Sequence, residues 1–277
     1  MRICVIGGAN ADITATSFRA FVPKDSNPGV VRLTAGGVGR NIAHNLAILG
    51  DDVVFLTIFG GDDFGQFTAD SCRKAGIDIS LCDYASGDVR SCFLSINDCD
   101  GELIGGVADM VAADGMTPEW LASKLQKINQ VDAYVADANI PADSLAYLID
   151  NVDKPLYLDA VSGAKATRIK EAMAISERKR LFTLKCNRME NVFLYDLEGV
   201  DRRYVSLGAE GLDVVEGRVK RHFAALPCRV VNTTGAGDAL ISGIIHAGPG
   251  ASIEEAARIG LQCAKENIES TDTVKQK

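Results

Sequence analysis

The chain has 277 residues, of which 47% are hydrophobic and 24% charged, with a formal net charge of −8. That length and apolar content suit one large core, and no apolar run reaches the ~20 residues that a membrane helix requires. The acidic balance argues against a surface built to neutralise nucleic-acid phosphates, so the expected partners are small molecules, with no nucleic acid and no membrane.

Residues 2–8, Arg-Ile-Cys-Val-Ile-Gly-Gly, form a buried-strand pattern without the long apolar region and cleavage site of an export signal. Further short apolar runs at 53–58, 133–136, 156–158 and 181–184 have the character of buried parallel strands. Helical patterns fall between them at 39–49, 64–75, 118–128, 141–150 and 165–173, the third opened by Thr117 as N-cap and Pro118 in the first turn. Strand and helix alternating in this way imply an α/β fold, a doubly wound, mostly parallel sheet with helices on both faces. Two segments break the rhythm. One is 29–33; the other pairs 89–96 with 102–107 through Asp98-Cys99-Asp100-Gly101, a β-hairpin signal with Asp-Gly in the turn. The hairpin could be an edge of the main sheet or part of a separate one. The polar tail from residue 270 to 277 reads as a loosely held terminus.

Eight cysteines are scattered with no CxxC pair and no His at metal spacing, which reads as reduced thiols of a cytoplasmic protein; a zinc site is the poorer alternative. Gly7-Gly8-Ala9-Asn10 lacks the spacing of a dinucleotide fingerprint, and no Walker-type G-x-x-x-x-G-K-[ST] string occurs.

Val231-Asn232-Thr233-Thr234-Gly235-Ala236-Gly237-Asp238 directly precedes an apolar helical stretch. Small residues at a helix start let backbone N–H groups approach an anion, and Asp238 stands where a base could take a proton from an attacking hydroxyl. A second glycine-rich motif, Ala35-Gly36-Gly37-Val38-Gly39-Arg40-Asn41, precedes a helical run that ends at Gly50. Asn10 and Asp12 follow the first strand, at the end where a doubly wound sheet opens its crevice.

The two glycine-rich motifs, in this order, resemble the two signatures of the PfkB (ribokinase-like) carbohydrate and nucleoside kinases. The resemblance implies a single ribokinase-like domain over 1–277, with a small β-sheet lid built from segments at about 13–34 and 88–108. It implies that Asp238 is the catalytic base and that Gly235, Ala236 and Gly237 donate N–H groups to the migrating phosphoryl group. Substrate contacts are implied for Asn10, Asp12, Gly36, Gly37 and Asn41, with Ser26, Asn27 and Asn139 near a base. Nucleotide contacts are implied for Asn187, Ser206, Gly208, Gly211, Thr234, Gly235, Gly237, Ala264 and Asn267. Asn187-Arg188-Met189-Glu190 matches the family's Asn-x-x-Glu motif, whose carboxylate Glu190 would hold Mg²⁺ through water; the competing reading makes Glu190 a solvated helix charge. ATP with Mg²⁺ is the implied cofactor, and K⁺ stays open because Asn232 stands where most relatives carry Asp.

Within the family, Asp25-Ser26-Asn27-Pro28-Gly29, Ala108-Asp109-Met110 and Asp159-Ala160-Val161-Ser162 resemble the branch that phosphorylates pseudouridine at its 5′-hydroxyl. A ribokinase or other sugar or nucleoside kinase is the alternative in the same chemistry, and a noncatalytic binding relative the alternative in another class. The segment between Glu190 and Tyr204 is short. Loss of a crossover helix there would expose one sheet face or make the connection antiparallel. A homodimer through an apolar lid face (Val30, Val31, Leu33, Phe93, Leu103) is also implied.

Overall fold

Short, mostly apolar runs can be covered on both faces of a pleated sheet, and here they build the strands at the centre of the molecule. The structure, a computed structural model, describes residues 1–87 and 89–274. Asp88, which opens the second expected lid segment, and 275–277, the end of the expected loose tail, lie outside the described residues.

Strand β1 (Arg2–Ile6) leads into β2 (Asn10–Ser17), β3 (Gly29–Gly36), α1 (Val38–Leu49), β4 (Asp52–Leu56) and the two-residue β5 (Ile58–Phe59). Next come α2 (Asp63–Lys74), β6 (Asp83–Tyr84), β7 (Cys92–Asn97), β8 (Leu103–Asp109), α3 (Pro118–Leu125) and β9 (Ala133–Asp137). The chain continues through α4 (Ala142–Asn151), β10 (Leu156–Asp159), α5 (Gly163–Ile175), β11 (Leu181–Asn187) and α6 (Arg188–Leu194). It closes with β12 (Val200–Ser206), β13 (Leu212–Glu216), β14 (Val219–Phe223), α7 (Ala236–His246) and α8 (Ile253–Ile268).

Eight strands form the main sheet in the order β14-β13-β12-β11-β10-β9-β1-β4. It is parallel from β4 to β12, and β13 and β14 add an antiparallel edge. One core packs α3, α4, α5 and α6 on one face through Leu121, Leu145, Leu148, Ile169, Met173 and Leu194. The other packs α1, α2, α7 and α8 through Ile42, Leu46, Cys72, Ile241, Ile245 and Ala257. The strand order reverses between β1 and β9, and the crevice beyond their carboxyl ends is where such sheets bind ligands.

The hairpin of β7 and β8 belongs to a separate four-stranded sheet, β3-β2-β7-β8, and not to the edge of the main one. Its turn closes as the sequence implies: Asp98 N donates to Glu102 O at 2.8 Å, and Gly101 takes a positive φ of 82°. β2 is the element that the apolar-run reading passes over. Its alternation of Ala11, Ile13 and Ala15 with Asp12, Thr14 and Thr16 is that of a strand with two unlike faces.

The expected loss of a crossover helix after Glu190 is overturned. β11 and β12 pair in parallel, and the seven-residue α6 makes the crossover. A capping box starts it: Glu190 N donates to Asn187 Oδ1 at 2.9 Å, and Asn187 N donates to Glu190 Oε2 at 2.8 Å. All eight cysteines are free. Among the described residues no helix is long and apolar enough to cross a membrane.

The crevice is held open by one carboxylate. Asp137, fully buried at the end of β9, accepts from Gly8 N at 3.0 Å, Gly39 N at 2.6 Å and Asn139 N at 2.8 Å. It therefore ties the loop after β1 and the first turn of α1 to the sheet. Asp137→Ala would leave these buried donors unpaired, and a loss on the order of 3 kcal/mol is expected in urea unfolding; an unchanged unfolding midpoint would contradict this role.

Candidate active site

The first turn of α7 carries Ala236, Gly237 and Asp238, after Gly235 in the left-handed conformation at φ 81°. No side chain caps this end and Ala236 N makes only a long 3.3 Å bond to the Thr233 carbonyl, so the first-turn N–H groups and the helix dipole face an anion with little competition. A side chain at Gly235 would collide with the Thr273 carbonyl, and one at Gly237 would place its Cβ 2.8 Å from Lys185 Nζ. The glycines let two other parts of the chain come close.

Lys185 is buried in β11 and pairs with the buried Asp159 at the end of β10, Nζ to Oδ2 at 2.9 Å. Burial works against the ammonium, but the Asp159 and Asp238 carboxylates outweigh it and hold Lys185 above the usual lysine range. The lysine is thus a fixed cation beneath the helix end.

Asp238 is only 9% exposed and accepts from Asn41 Nδ2 at 2.8 Å across the α1–α7 contact. Burial, together with the nearby Asp159 and Asp137, pushes its carboxyl up to about 7 against the opposing pull of Lys185 and the Asn41 amide. A carboxyl near neutrality is matched to taking a proton from an alcohol and passing it on.

On the opposite wall, Asn10 Nδ2 donates to Asp12 Oδ1 at 2.5 Å, and burial raises the Asp12 carboxyl above the usual range. Gly36 lies flat against that carboxylate, where any side chain would collide with it, and Gly37, at φ 94°, lies against the Gly8 carbonyl. Beside them is a cavity of about 210 Å³ lined by Gly8, Ser91, Met110, Asn139, Lys165 and Arg168 among others. Asn139 is buried there, its Oδ1 accepting from Lys165 and its carbonyl from Arg168 Nη1 at 2.6 Å. The structure brings Asn10, Asp12, Gly36, Gly37, Asn41, Asn139 and Asp238 to this one crevice. Ser26 and Asn27 are elsewhere, in the exposed loop beyond the far end of β2, about 17 Å along the strand from Asp12 at 3.3 Å per residue. Asn27 closes that loop through Val22 and Asp25.

Glu190 is buried, which overturns its reading as a solvated charge; burial raises its carboxyl, and Asn187 holds both of its oxygens. Ser206 lies beside Asn187 in the β11–β12 register, and Gly208 and Gly211, at φ 63° and 107°, form the turn into β13. Thr234 N donates to Asn232 Oδ1 at 2.9 Å. On α8, Ala264 packs against the core and Asn267 is buried, with Nδ2 donating to Thr273 O at 2.7 Å.

Asp137 and Lys185 are functional candidates absent from the motif reading, and Asp159 and Arg40 stand in its strings without a role. For the first three the signal is there: a charged residue at or near the carboxyl end of an otherwise apolar buried strand.

The model for pfkB family carbohydrate kinases matches residues 1–276. The chain belongs to this family. Pseudouridine kinase of Escherichia coli (strain K12) is 31% identical over 261 residues, 87% of this chain and 82% of that protein. Guanosine-inosine kinase of Exiguobacterium acetylicum is 26% identical over 98% of this chain and 95% of that one. Among solved structures, a carbohydrate kinase from Agrobacterium tumefaciens superposes with a TM-score of 0.83 at 31% identity, covering 99% of this chain and 92% of that one. As a pfkB family member the protein is a phosphotransferase with an alcohol acceptor, acting on a sugar or nucleoside with ATP and a divalent metal, generally Mg²⁺.

The raised Asp238 carboxyl has a consequence for stability. The folded state holds this proton more tightly than the unfolded chain, so stability falls as pH rises from the ordinary aspartate range through about 7. Asp238→Asn should therefore melt several degrees above the wild type at pH 8, with the gap closing towards pH 4. A variant no more stable at pH 8 than at pH 4, relative to wild type, would contradict the raised carboxyl.

Proposed function

We propose that the protein transfers the γ-phosphate of ATP to the 5′-hydroxyl of a nucleoside, and that pseudouridine is the substrate. The observation that carries the transfer is the convergence of Asp12, Asn41 and Asp238 on one crevice at the uncapped start of α7. Asp12 accepts the two ribose hydroxyls, which orients the 5′-hydroxyl towards Asp238. Asp238 takes the proton as that oxygen attacks phosphorus. The N–H groups of Ala236 and Gly237 and the Lys185 ammonium stabilise charge on the migrating group. Ser206, Gly208, Gly211 and Thr234 line the nucleotide side, walled by Ala264 and Asn267.

The donor set fits a divalent ion that arrives with the nucleotide. Asp159 and Glu190 are both buried and lie around the Lys185 ammonium, whose Nζ is 2.9 Å from Asp159 Oδ2, so carboxylate charge is gathered beside the helix end. Asn187 holds both Glu190 oxygens, and Mg²⁺ keeps several of its waters, so Glu190 would reach the ion through water. Mg²⁺ supplies neutralisation of the phosphate oxygens. K⁺ fits less well, because Asn232 already spends its own oxygen on Thr234 N and turns its amide N–H towards the Thr271 carbonyl.

Pseudouridine is favoured by the cavity beside Asp12, whose Lys165 and Arg168 cations suit the carbonyl oxygens of a pyrimidine dione, and by the 31% identity to the E. coli kinase. A free sugar would leave that cavity empty. The small sheet is proposed as a lid. Its register puts Ile13, Leu33, Leu94 and Val107 in one row on the face away from Asp12, with Val31 and Ile96 in the next. That face is proposed as a dimer contact. Val30 and Phe93 fall on the Asp12 side, so they take no part in it; light scattering checks the dimer.

In a coupled assay with Mg-ATP, pseudouridine should be phosphorylated faster than ribose, adenosine or inosine. Turnover of ribose or adenosine with none of pseudouridine would overturn the substrate. Asp238→Asn should lower the transfer rate by about 100-fold or more with nucleoside binding within a few fold. Wild-type turnover in that variant would return the noncatalytic reading. Asp12→Ala should weaken nucleoside binding strongly in calorimetry, because its partners lose their acceptor; unchanged affinity would remove Asp12 from the substrate wall.

A further inference from the structure

Arg40 is 4% exposed, and among the described residues no carboxylate lies within ion-pair distance of it. Burying a guanidinium among neutral partners is costly, and such a group is seldom placed for stability alone. Its Nη1 donates to Ala35 O and to Asn41 Oδ1, each at 2.8 Å. Its Nη2 donates to Ser71 Oγ and meets His44 Nδ1, each at 2.9 Å. Burial and the arginine push His44 down to about 4, so its ring is neutral and Nδ1 accepts. The guanidinium is therefore locked on its outer side by α1 and α2 and presents one N–H to Asn41.

An asparagine amide can turn either end towards a neighbour at almost no steric cost. If the Asn41 oxygen faced Asp238, two acceptors would repel each other and the carboxylate would be left without its partner. We propose that Arg40 is a positioning residue for Asp238: by holding Asn41 Oδ1, it fixes the amide so that Nδ2 donates to the carboxylate. The inference rests on the reading of Asp238 as the base. Arg40 acts through Asn41.

The charge matters as well as the orientation. The groups facing Asp238 are Asn41 and, behind it, Arg40 from α1, Asp137 from β9, Asp159 from β10 and Lys185 from β11. Two carboxylates oppose its ionisation, and Lys185 is shared with Asp159. Arg40, attracted to both Asp12 and Asp238, adds a cation that favours the ionised base. Its removal should raise the Asp238 carboxyl further, and the acidic limb of the rate profile should move with it.

The test is the single-turnover transfer rate from pH 5 to 9 for the wild type, Arg40→Met and Arg40→Lys, with melting temperature and the KM for ATP. Arg40→Met should slow transfer about tenfold with the KM for ATP within a few fold, and move the acidic limb upward by about half a pH unit. Arg40→Lys, which keeps the charge but loses the forked donor, should fall between it and the wild type on both readouts. A folded Arg40→Met with the wild-type rate and limb overturns the proposal, as does a slower rate with an unmoved limb, which a merely structural role would give. If Arg40→Met does not fold, Arg40→Lys carries the test alone: a limb at the wild-type pH and an unchanged rate overturn it. Asp238→Asn measured beside them separates the two readings, because an active Asp238→Asn removes the base itself, whereas an inactive one with unaltered Arg40 variants removes only the relay.

Discussion

A carboxylate buried at the positive end of a helix governs the arrangement of the whole crevice. Asp238 shares its surroundings with Asp137 and Asp159, and water is largely excluded, so ionisation is opposed from two sides. The helix end, Lys185 and the Asn41 amide pull the other way. The balance leaves the group near neutrality, where a small change in its partners has a large effect on its charge. The same uncapped N–H groups that favour an anion at Asp238 favour a phosphoryl group in passage.

Several local features of the fold are consequences of packing that cluster. β9, β10 and β11 each deliver a charged side chain at or near the carboxyl end, and the reversal of strand order at β1 and β9 opens the gap into which they project. Gly8 and Gly39 donate their N–H groups to Asp137; a side chain at Gly7 would be driven into that carboxylate, and one at Gly39 into the Gly7 backbone. Gly237 gives Lys185 its place. These glycines mark where charged side chains meet backbone at contact distance, with no room for a Cβ between them.

The layered α/β architecture is legible in the sequence because parallel strands covered on both faces are largely apolar, and the runs at 3–6, 133–136, 156–158 and, apart from Thr183, 181–184 are. The two glycine-rich turns are equally legible, since few other demands explain so many small residues before a helix. β2 is harder, because a strand with one apolar and one polar face has no continuous apolar run. α6 is hidden by its length, seven residues with little apolar periodicity, although the capping box at Asn187 and Glu190 is written in the chain. Asn41 can be assigned to the crevice by motif, but its hydrogen bond to a residue 197 positions away cannot. The buried state of Arg40 is invisible for the same reason: it depends on Ser71 and His44 packing around it across two helices.

The most direct measurement is the titration of the Asp238 carboxyl itself, followed by the ¹³C resonance of its Cγ and assigned by its loss in Asp238→Asn. A carboxyl poised as a base at neutral pH should give a midpoint at about 7. A midpoint in the ordinary aspartate range, near 4, would mean that the crevice does not oppose its ionisation, and the chemistry assigned to it would have to be abandoned.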